Sequence, residues 1–176
     1  MIGRLVIIGL AVTALIAGIA MYYLQVYAFY TEVAAEEVGN VQLTSLHTGM
    51  PEEILFESFN AIDSDSSPIR FRACFETPLS QAMLTETYAL YPGAEPLNAP
   101  GWFDCFDAAA LGAALDSGEA LAFMGVENIR YGIDRVVAIL PDGRGFVWHQ
   151  INRCGEVVFD GDPPPEDCPP LPEGTE

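Results

Sequence analysis

One long apolar run near the N-terminus constrains this chain more than any other feature. From Leu5 to Leu24 there is no charged residue and only one polar side chain, Thr13. A run of about 20 such residues is long enough for a helix to cross a hydrocarbon layer of ~30 Å. The sequence therefore predicts a protein that is held in a membrane by a single helix.

The residues on either side of the apolar run predict its orientation. Arg4 is the only basic residue before it, and positive charge favours the cytoplasmic side of a membrane. Aromatic rings, which settle at the level of the lipid headgroups, crowd the other end. These are Tyr22, Tyr23, Tyr27, Phe29 and Tyr30. We expect an inner-membrane protein with a cytoplasmic N-terminus and a periplasmic C-terminal domain.

A cleaved secretory signal is the alternative interpretation of the same run. Gly18-Ile19-Ala20 would then serve as a poor cleavage site. The apolar run continues into the aromatic residues without a polar spacer, and no cysteine follows it as a lipoprotein would require. These features favour a retained anchor.

Composition divides the chain into three predicted segments. Residues 1–38 form the anchor and a short helical stalk, in which Thr31 to Val38 extend the helix until Gly39-Asn40 ends it. Residues 39–160 form one acidic periplasmic domain, and residues 161–176 form a Pro-rich acidic tail without enough apolar groups for a core.

The domain is expected to be antiparallel α+β, because short hairpin-linked strands alternate with only one or two helices. In Ile69 to Phe75, Ile69, Phe71, Ala73 and Phe75 are expected to face the core. Pro141 to Arg144 is a hairpin turn, Glu53 to Ile62 is ambiguous, and Asp104 is the expected N-cap of the clearest helix. The predicted strands are Val41–Leu46, Ile69–Phe75, Ala120–Val126, Ile133–Leu140, Gly145–Ile151 and Glu156–Phe159, and the predicted helices are Ser80–Ala89 and Asp104–Asp116.

The four cysteines, Cys74, Cys105, Cys154 and Cys168, all lie in the exported part. An even number in an oxidising compartment predicts two disulfides, for which three pairings exist. We favour Cys74–Cys105, which would join a strand to the start of a helix, and Cys154–Cys168, which would tie the tail to the domain. No pair has the CxxC spacing of a thioredoxin-like redox centre.

Charge predicts the kind of partner. All 25 carboxylates lie at or after Glu32 and six of the seven arginines lie beyond Arg4, so the exported part has a net charge of −19. Such a balance disfavours nucleic acid and anionic headgroups and favours a basic partner, although an acidic surface also serves solubility alone. Pairing with carboxylates is the expected use of Arg70, Arg72, Arg130, Arg135 and Arg153. The candidate partner-binding carboxylates are Asp160, Asp162, Glu166 and Asp167.

Within the apolar run, small residues predict a surface for helix packing. Ala14 and Gly18 form a small-xxx-small pair, and Ala11 lies on the same side. Another membrane helix could approach closely there. We therefore expect the transmembrane helices of a larger complex as partners.

No motif predicts catalysis, a metal or a cofactor. His47 and His149 are the only histidines, and no HExxH, GxSxG or Gly-rich phosphate loop occurs. Asp63-Ser64-Asp65-Ser66 resembles the start of a calcium loop but lacks the glycine and the distant glutamate that complete one, so it is interpreted as a turn. We expect a protein that is not an enzyme.

Four stretches resemble an uncharacterised family of small single-span, periplasm-facing proteins of alphaproteobacteria, some of which are labelled histidine kinases. The stretches are Ser66–Phe75, Asn98–Ala113, Asn128–Val137 and Trp148–Gly161. The resemblance implies a location and domain boundaries but no activity. A kinase label has no chemical basis in a chain without a nucleotide site.

These features together predict a non-catalytic accessory or assembly subunit of an inner-membrane complex. A respiratory complex, either cytochrome bc1 or cytochrome oxidase, is the most attractive host, because an acidic domain would attract a basic cytochrome c. The alternative is a periplasmic ligand-binding or signalling module, which a deep apolar pocket lined by Trp102 or Trp148 would favour. A thiol-active enzyme or assembly factor would require free cysteines.

Overall fold

The computed structural model describes residues 2–172 and begins with the expected apolar helix. Helix α1 spans Ile2–Tyr23 and continues as a π-helical turn over Leu24–Ala28. Its most apolar window has a mean hydropathy of 2.5, and none of that window is buried against the rest of the chain. The helix is long and apolar enough to span a membrane.

The rest of the chain builds a small antiparallel α+β domain, as predicted. A six-stranded sheet has the strand order β1-β4-β5-β8-β7-β6, and a separate hairpin pairs β2 with β3. The strands are β1 Thr31–Val33, β2 Gln42–Thr44, β3 Pro51–Glu53, β4 Glu57–Asp63, β5 Arg72–Glu76, β6 Leu121–Arg130, β7 Ile133–Ile139 and β8 Arg144–Ile151. The helices are α2 Ala35–Val38, α3 Gln81–Thr87, α4 Ala108–Ser117 and α5 Arg153–Phe159.

The predicted helical stalk over Thr31 to Val38 is wrong. Thr31–Val33 is an edge strand of the large sheet, with Thr31 opposite Asp63. Only the single turn α2 is helical, and it ends at Gly39, whose φ is 83°. Pairing with the free edge of β4 satisfies backbone groups that a solvated stalk would leave to water. Only Phe29 and Tyr30 therefore separate the helical segment from the sheet.

The predicted N-cap at Asp104 is also wrong. Helix α4 begins at Ala108, and Asp107 caps it by accepting hydrogen bonds from the backbone N–H groups of Ala109 and Ala110, both at 3.0 Å. Cys105 is held in a disulfide and Phe106 is buried in the core, and residues 104 and 105 form a separate turn before the helix begins. The other predicted helix, Ser80–Ala89, is present as α3 with Ser80 as its N-cap, and Gly118 ends α4 in the left-handed region.

The predicted strand over Glu156 to Phe159 is a helix, α5. Asn152 caps it by accepting from the N–H of Gly155 at 3.0 Å. Gly155 packs so closely against Gly132 that a Cβ on Gly132 would lie 2.5 Å from the Cα of Gly155. Tertiary contact therefore overrides the strand preference of Val157 and Val158.

The sheet is covered on both faces. The hairpin face lies beneath the β2–β3 hairpin and α3, and the loop face lies beneath α4 and an irregular segment, residues 91–106, which we name the Trp102 loop. The buried hairpin-face cluster is Val41, Leu43, Ile54, Ala61, Phe71, Ala73, Phe75, Leu84, Phe123, Val137, Ile139 and Val147. The loop-face cluster is Cys74, Phe106, Ala108, Leu111, Ala114, Ala120, Ala122, Val136, Ala138, Leu140, Phe146 and Trp148.

Strand alternation in β5 matches the prediction in part. Phe71, Ala73 and Phe75 belong to the hairpin-face core, but Ile69 is half-buried and precedes the strand. Arg72 and Cys74, which the alternation leaves for the other side, are also buried, because the loop face is covered too.

Candidate functional site

The end of the N-terminal apolar helix makes a direct contact with the domain. The indole N–H of Trp102 donates a hydrogen bond to the backbone O of Val26 at 2.7 Å, across 76 residues of sequence. Carbonyl groups at the end of a helix lack partners within the helix, so this bond satisfies one of them. The Trp102 ring also stacks on Tyr27 at 6.2 Å and meets Tyr30 edge-on at 6.1 Å. The domain is thereby fixed to the helix end.

Arg72 holds the Trp102 loop in place from beneath. Its Nε donates to the O of Leu97 at 2.7 Å, and its Nη2 donates to the O of Asn98 at 3.2 Å. Its Nη1 donates to the O atoms of Ile69 and Phe71 at 2.8 and 2.6 Å. Burial lowers the pKa of Arg72 to about 10, which still leaves it charged at neutral pH. Its charge is therefore stabilised by carbonyl groups.

The loop has two more fastenings. The Cys74–Cys105 disulfide joins β5 to a residue three positions after Trp102. Gln150 on β8 accepts from the N–H of Glu95 at 2.8 Å and donates to the O of Gly93 at 2.9 Å. A segment without regular structure is in this way held firmly enough to present Trp102 to the helix.

A second buried arginine, Arg135, fastens the hairpin face. It donates from Nε to Nε2 of His149 at 3.1 Å and from Nη1 to the O of Val38 at 2.6 Å, which ties α2 to the sheet. Burial lowers the pKa of Arg135 to about 10, and both its guanidinium and the His149 ring lie against Phe71, with centroid distances of 4.7 and 4.8 Å.

His149 is a structural residue in this arrangement. Burial first, and then the charge of Arg135, lower its pKa to about 4, so the ring is neutral at physiological pH. Because Nε2 accepts from Arg135, the ring proton lies on Nδ1 and is donated to the O of Pro68 at 2.7 Å. Both ring nitrogens are thus engaged.

A polar network is centred on the carboxylate of Asp134 in β7. Asp134 accepts from Tyr91 Oη at 3.2 Å, from the N–H of Asn128 at 2.8 Å and from Asn152 Nδ2 at 2.7 Å. Burial, and then the Asp134 carboxylate, raise the pKa of Tyr91 well above its ordinary value. This network anchors the start of the Trp102 loop and the start of α5.

The cysteines pair as Cys74–Cys105 and Cys154–Cys168, the pairing favoured from the sequence. Among residues 2–172 no cysteine is free. The thiol-active alternative therefore lacks the free thiols that it requires.

The small-residue surface of the helix is open along its length. Ala11, Ala14 and Gly18 are exposed, and a Cβ at Gly18 would have no heavy-atom neighbour within 4 Å. Nothing in residues 2–172 covers this surface.

The four tail carboxylates lie far along the chain from the helix surface, and all are exposed. Asp167 forms an ion pair with Arg153, so it is already engaged, whereas Asp160, Asp162 and Glu166 have no ion pair among the described residues. Tail residues 173–176 lie outside the described part of the chain.

The prediction that the arginines mostly pair with carboxylates is wrong. Of Arg70, Arg72, Arg130, Arg135 and Arg153, only Arg153 forms an ion pair within residues 2–172, and the one other pair joins Arg144 to Asp142 at 2.7 Å. Arg72 and Arg135 bind carbonyl groups and an imidazole. Most carboxylates of residues 2–172 consequently have no arginine in direct contact.

Among residues 2–172, the best-formed grooves do not include either tryptophan in their walls. Trp148 is 0% exposed in the loop-face core, and the Trp102 ring is covered by Tyr27 and Tyr30. An open groove of about 510 Å³ lies instead beside β6, lined by residues such as Leu90, Tyr91, Leu115 and Leu121.

The suspected calcium loop is a turn, as expected. Asp63 Oδ1 accepts from the N–H of Ser64 at 2.7 Å, and the hydroxyls of Ser64 and Ser66 bond at 2.8 Å. Within the described residues, no three His, Cys, Asp or Glu side chains are grouped so that they could hold a metal ion.

Sequence reasoning missed the roles of three residues: Trp102 joins helix and domain, Arg72 holds the Trp102 loop, and Arg135 ties α2 to the sheet. The available signal was a tryptophan in a loop rich in Pro and Gly, in a chain whose helix ends in aromatic residues. Its partner, a backbone carbonyl, has no sequence signature.

Comparison with known proteins leaves the activity open. The model of a family of unknown function matches residues 41–169, which is more than two-thirds of the chain. No curated protein and no solved structure matches.

Proposed function

The chain belongs to that family of unknown function, DUF6446, and from this premise we propose that it is a non-catalytic accessory or assembly subunit of an inner-membrane complex. The bond between Trp102 and Val26 carries the proposal. A domain that only had to be kept near a membrane would need no more than a flexible linker. Here two residues connect helix and sheet, and the domain is also bonded to the helix end.

A fixed arrangement is useful when helix and domain dock on one partner at the same time. The helix offers the open Ala11, Ala14 and Gly18 surface, where another helix would pack closely. Rigid coupling lowers the entropy lost when the second contact forms after the first. We infer that the partner is a multi-helix membrane complex.

Co-purification in a mild detergent tests this proposal, with Gly18→Leu as the variant and Gly9→Leu as its matched control. At 100° per residue, as in a helix of about 3.6 residues per turn, Gly9 lies on the side of the helix opposite Gly18. A Cβ has open space at both positions. We expect Gly18→Leu to detach the protein from its complex while it remains in the membrane, and Gly9→Leu to leave the complex intact. Equal co-purification of both variants would refute packing through this surface.

The proposed orientation places the N-terminus in the cytoplasm and the domain in the periplasm. Arg4 before the helix and the aromatic residues after it support this arrangement, as does the resemblance to single-span alphaproteobacterial proteins. Alkaline carbonate should leave the protein in the membrane pellet, and protease should reach the domain only after the periplasm is opened. Release of a soluble chain lacking residues 1–20 would contradict the anchor.

The proposed host is a respiratory complex, where the acidic domain attracts a basic cytochrome c. Support comes from charge, because the part beyond the helix has a net charge of −19 and only two carboxylates among the described residues form ion pairs. Electrostatic steering raises association rates at low salt, and the effect weakens as the Debye length falls to ~8 Å at physiological salt.

Charge reversal in the tail tests the steering. Replacing Asp160, Asp162, Glu166 and Asp167 with Lys should slow association with a basic cytochrome c at low salt, with a difference that shrinks as salt is added. The matched control reverses four exposed carboxylates elsewhere, namely Glu57, Glu86, Asp116 and Glu119. If both sets of reversals slow the association equally, the effect comes from net charge and not from the tail. If neither set changes the association rate, the steering proposal is refuted and the subunit has a purely structural role.

A further inference from the structure

Arg70 lies beside the aromatic residues at the end of the helix. Its Cζ is 5.5 Å from the ring centroid of Tyr30, and Tyr30 packs edge-on against Trp102 at 6.1 Å. A cation over an aromatic face is attracted by the negative face of the ring. The guanidinium is therefore held at the level of the helix end.

The side-chain hydrogen-bonding groups of Arg70 are unused within residues 2–172. Its Nη1 is enclosed without an acceptor, and the side chain forms no ion pair there. Nε and Nη2 are not enclosed, since Nη1 is the only buried side-chain nitrogen or oxygen of the described residues without a partner. Arg72 and Arg135 differ, because neighbouring groups of the chain satisfy them. The free edge of Arg70 is thus open to an external acceptor.

The location of this edge indicates the acceptor. Rings at the end of a membrane helix lie among the lipid headgroups, where each lipid carries a phosphate. The planar fork of a guanidinium matches two phosphate oxygens, and such charge-assisted pairs are the strong hydrogen bonds of proteins. We propose that the Nε–Nη2 edge of Arg70 binds the phosphodiester of a membrane glycerophospholipid, with Tyr30 holding the guanidinium in place.

Charge favours a lipid over a dissolved phosphate. A net charge of −19 beyond the helix repels free anions and anionic headgroups, but not a zwitterionic lipid, whose phosphate is balanced by its own ammonium group. A lipid of the surrounding layer is already present beside the helix end, so its phosphate has a high effective concentration. The inference rests on the membrane anchor of the proposed function but not on any host complex.

The test uses the full chain in dodecyl maltoside with added dioleoyl-phosphatidylethanolamine, and native mass spectrometry measures the bound lipid. Arg70→Gln should weaken lipid binding about tenfold, as expected for the loss of a charge-assisted bond, and Arg70→Lys should weaken it less. Arg130→Gln is the matched control, because Arg130 is exposed, has no ion pair among the described residues and carries the same charge. It should bind lipid like the unchanged protein.

Tyr30→Leu gives a second variant with the same expected direction, in case Arg70→Gln fails to fold. Equal lipid binding by Arg70→Gln and the unchanged protein would overturn the inference. So would displacement of the lipid from the unchanged protein by inorganic phosphate, which would indicate a site for soluble anions. Because Gly18→Leu should keep the lipid while losing its complex, failure of this inference and failure of the proposed function give different results.

Discussion

The two faces of the sheet are built by different means. Ten of the twelve buried residues in the hairpin-face core are larger than alanine, whereas five of the twelve in the loop-face core are alanines. The cover of the loop face also lacks regular structure over much of its length, and it is fastened by a disulfide, by Arg72 and by Gln150. Large apolar side chains and one buried arginine, Arg135, hold one face, whereas the other, with smaller side chains, is also held by a disulfide.

The loop face is also the one that reaches the N-terminal apolar helix, through Trp102. The disulfide and hydrogen bonds that fasten the Trp102 loop also fix the position of the Trp102 indole. Non-directional apolar packing alone would not fix it as accurately. The difference between the faces teaches that fastening here serves position as well as stability. Four predictions test this comparison.

Loss of a disulfide should have the largest effect. Replacing Cys74 and Cys105 with Ala should cost ~2–5 kcal/mol of unfolding free energy. The matched control removes Cys154 and Cys168, whose sequence separation is 14 rather than 31, so chain entropy alone predicts a cost about 0.7 kcal/mol smaller. Denaturant unfolding of the full chain in detergent measures both. A smaller cost for Cys74–Cys105 than for the control would contradict its role beneath the Trp102 loop.

The intact protein should also weigh about 4 Da less than its fully reduced form, since each disulfide removes two hydrogens. Free thiols in the native protein would revive the thiol-active alternative.

Removal of Arg72 should have the second-largest effect, and it should affect the loop face but not the hairpin face. Arg72→Met leaves the carbonyl groups of the loop without their charged donor and should cost about 3 kcal/mol. Arg135→Met should cost a similar amount, but it acts on α2 and the hairpin face. Fluorescence of Trp102 in a Trp148→Phe background should change with Arg72→Met only. A change with Arg135→Met instead would break the comparison.

Acid should weaken the hairpin face through His149. Its pKa is about 4 in the folded protein and 6.5 without burial, so the unfolded chain binds the proton more tightly. The stability that the neutral ring provides is complete above pH ~6.5 and is lost as the pH falls towards ~4, by at most about 3 kcal/mol. His149→Gln should flatten this part of a stability–pH curve. A His149→Gln curve identical to that of the unchanged protein would show that His149 is not the titrating group.

The smallest effect is expected at the helix contact itself. Trp102→Phe keeps an aromatic ring but loses the bond to Val26, worth about 1 kcal/mol. Amide hydrogen exchange over residues 24–34 should accelerate while the sheet core stays protected. Unchanged exchange in that segment would mean that the two-residue connection alone orders the helix end.

Local signals predicted much of the fold. The helix over the apolar run, the Pro141–Arg144 turn, the helix that starts near Ser80 and the two disulfides all depend on signals within a few residues or on covalent chemistry. Each was confirmed because no distant contact opposes it.

The errors have one physical cause. The strand at Thr31, the helix at Glu156 and the late start of α4 depend on partners that are remote in sequence: β4, Gly132 and the bond to Cys74. The candidate site was missed for the same reason. Arg72, Arg135 and Trp102 bind backbone carbonyl groups, and every residue offers one, so no residue pattern marks the partner.

The two-residue connection after Ala28 has a rotational consequence. Each residue of an α-helix turns the chain by about 100°. Because no flexible linker absorbs that turn, the direction faced by Ala11, Ala14 and Gly18 fixes the rotational orientation of the whole domain about the helix axis. The π-helical turn over Leu24–Ala28 holds an extra residue relative to an α-helical turn, and this residue changes the rotation angle between helix and domain. A partner that binds both the helix and the domain must therefore match a single rotation angle between them.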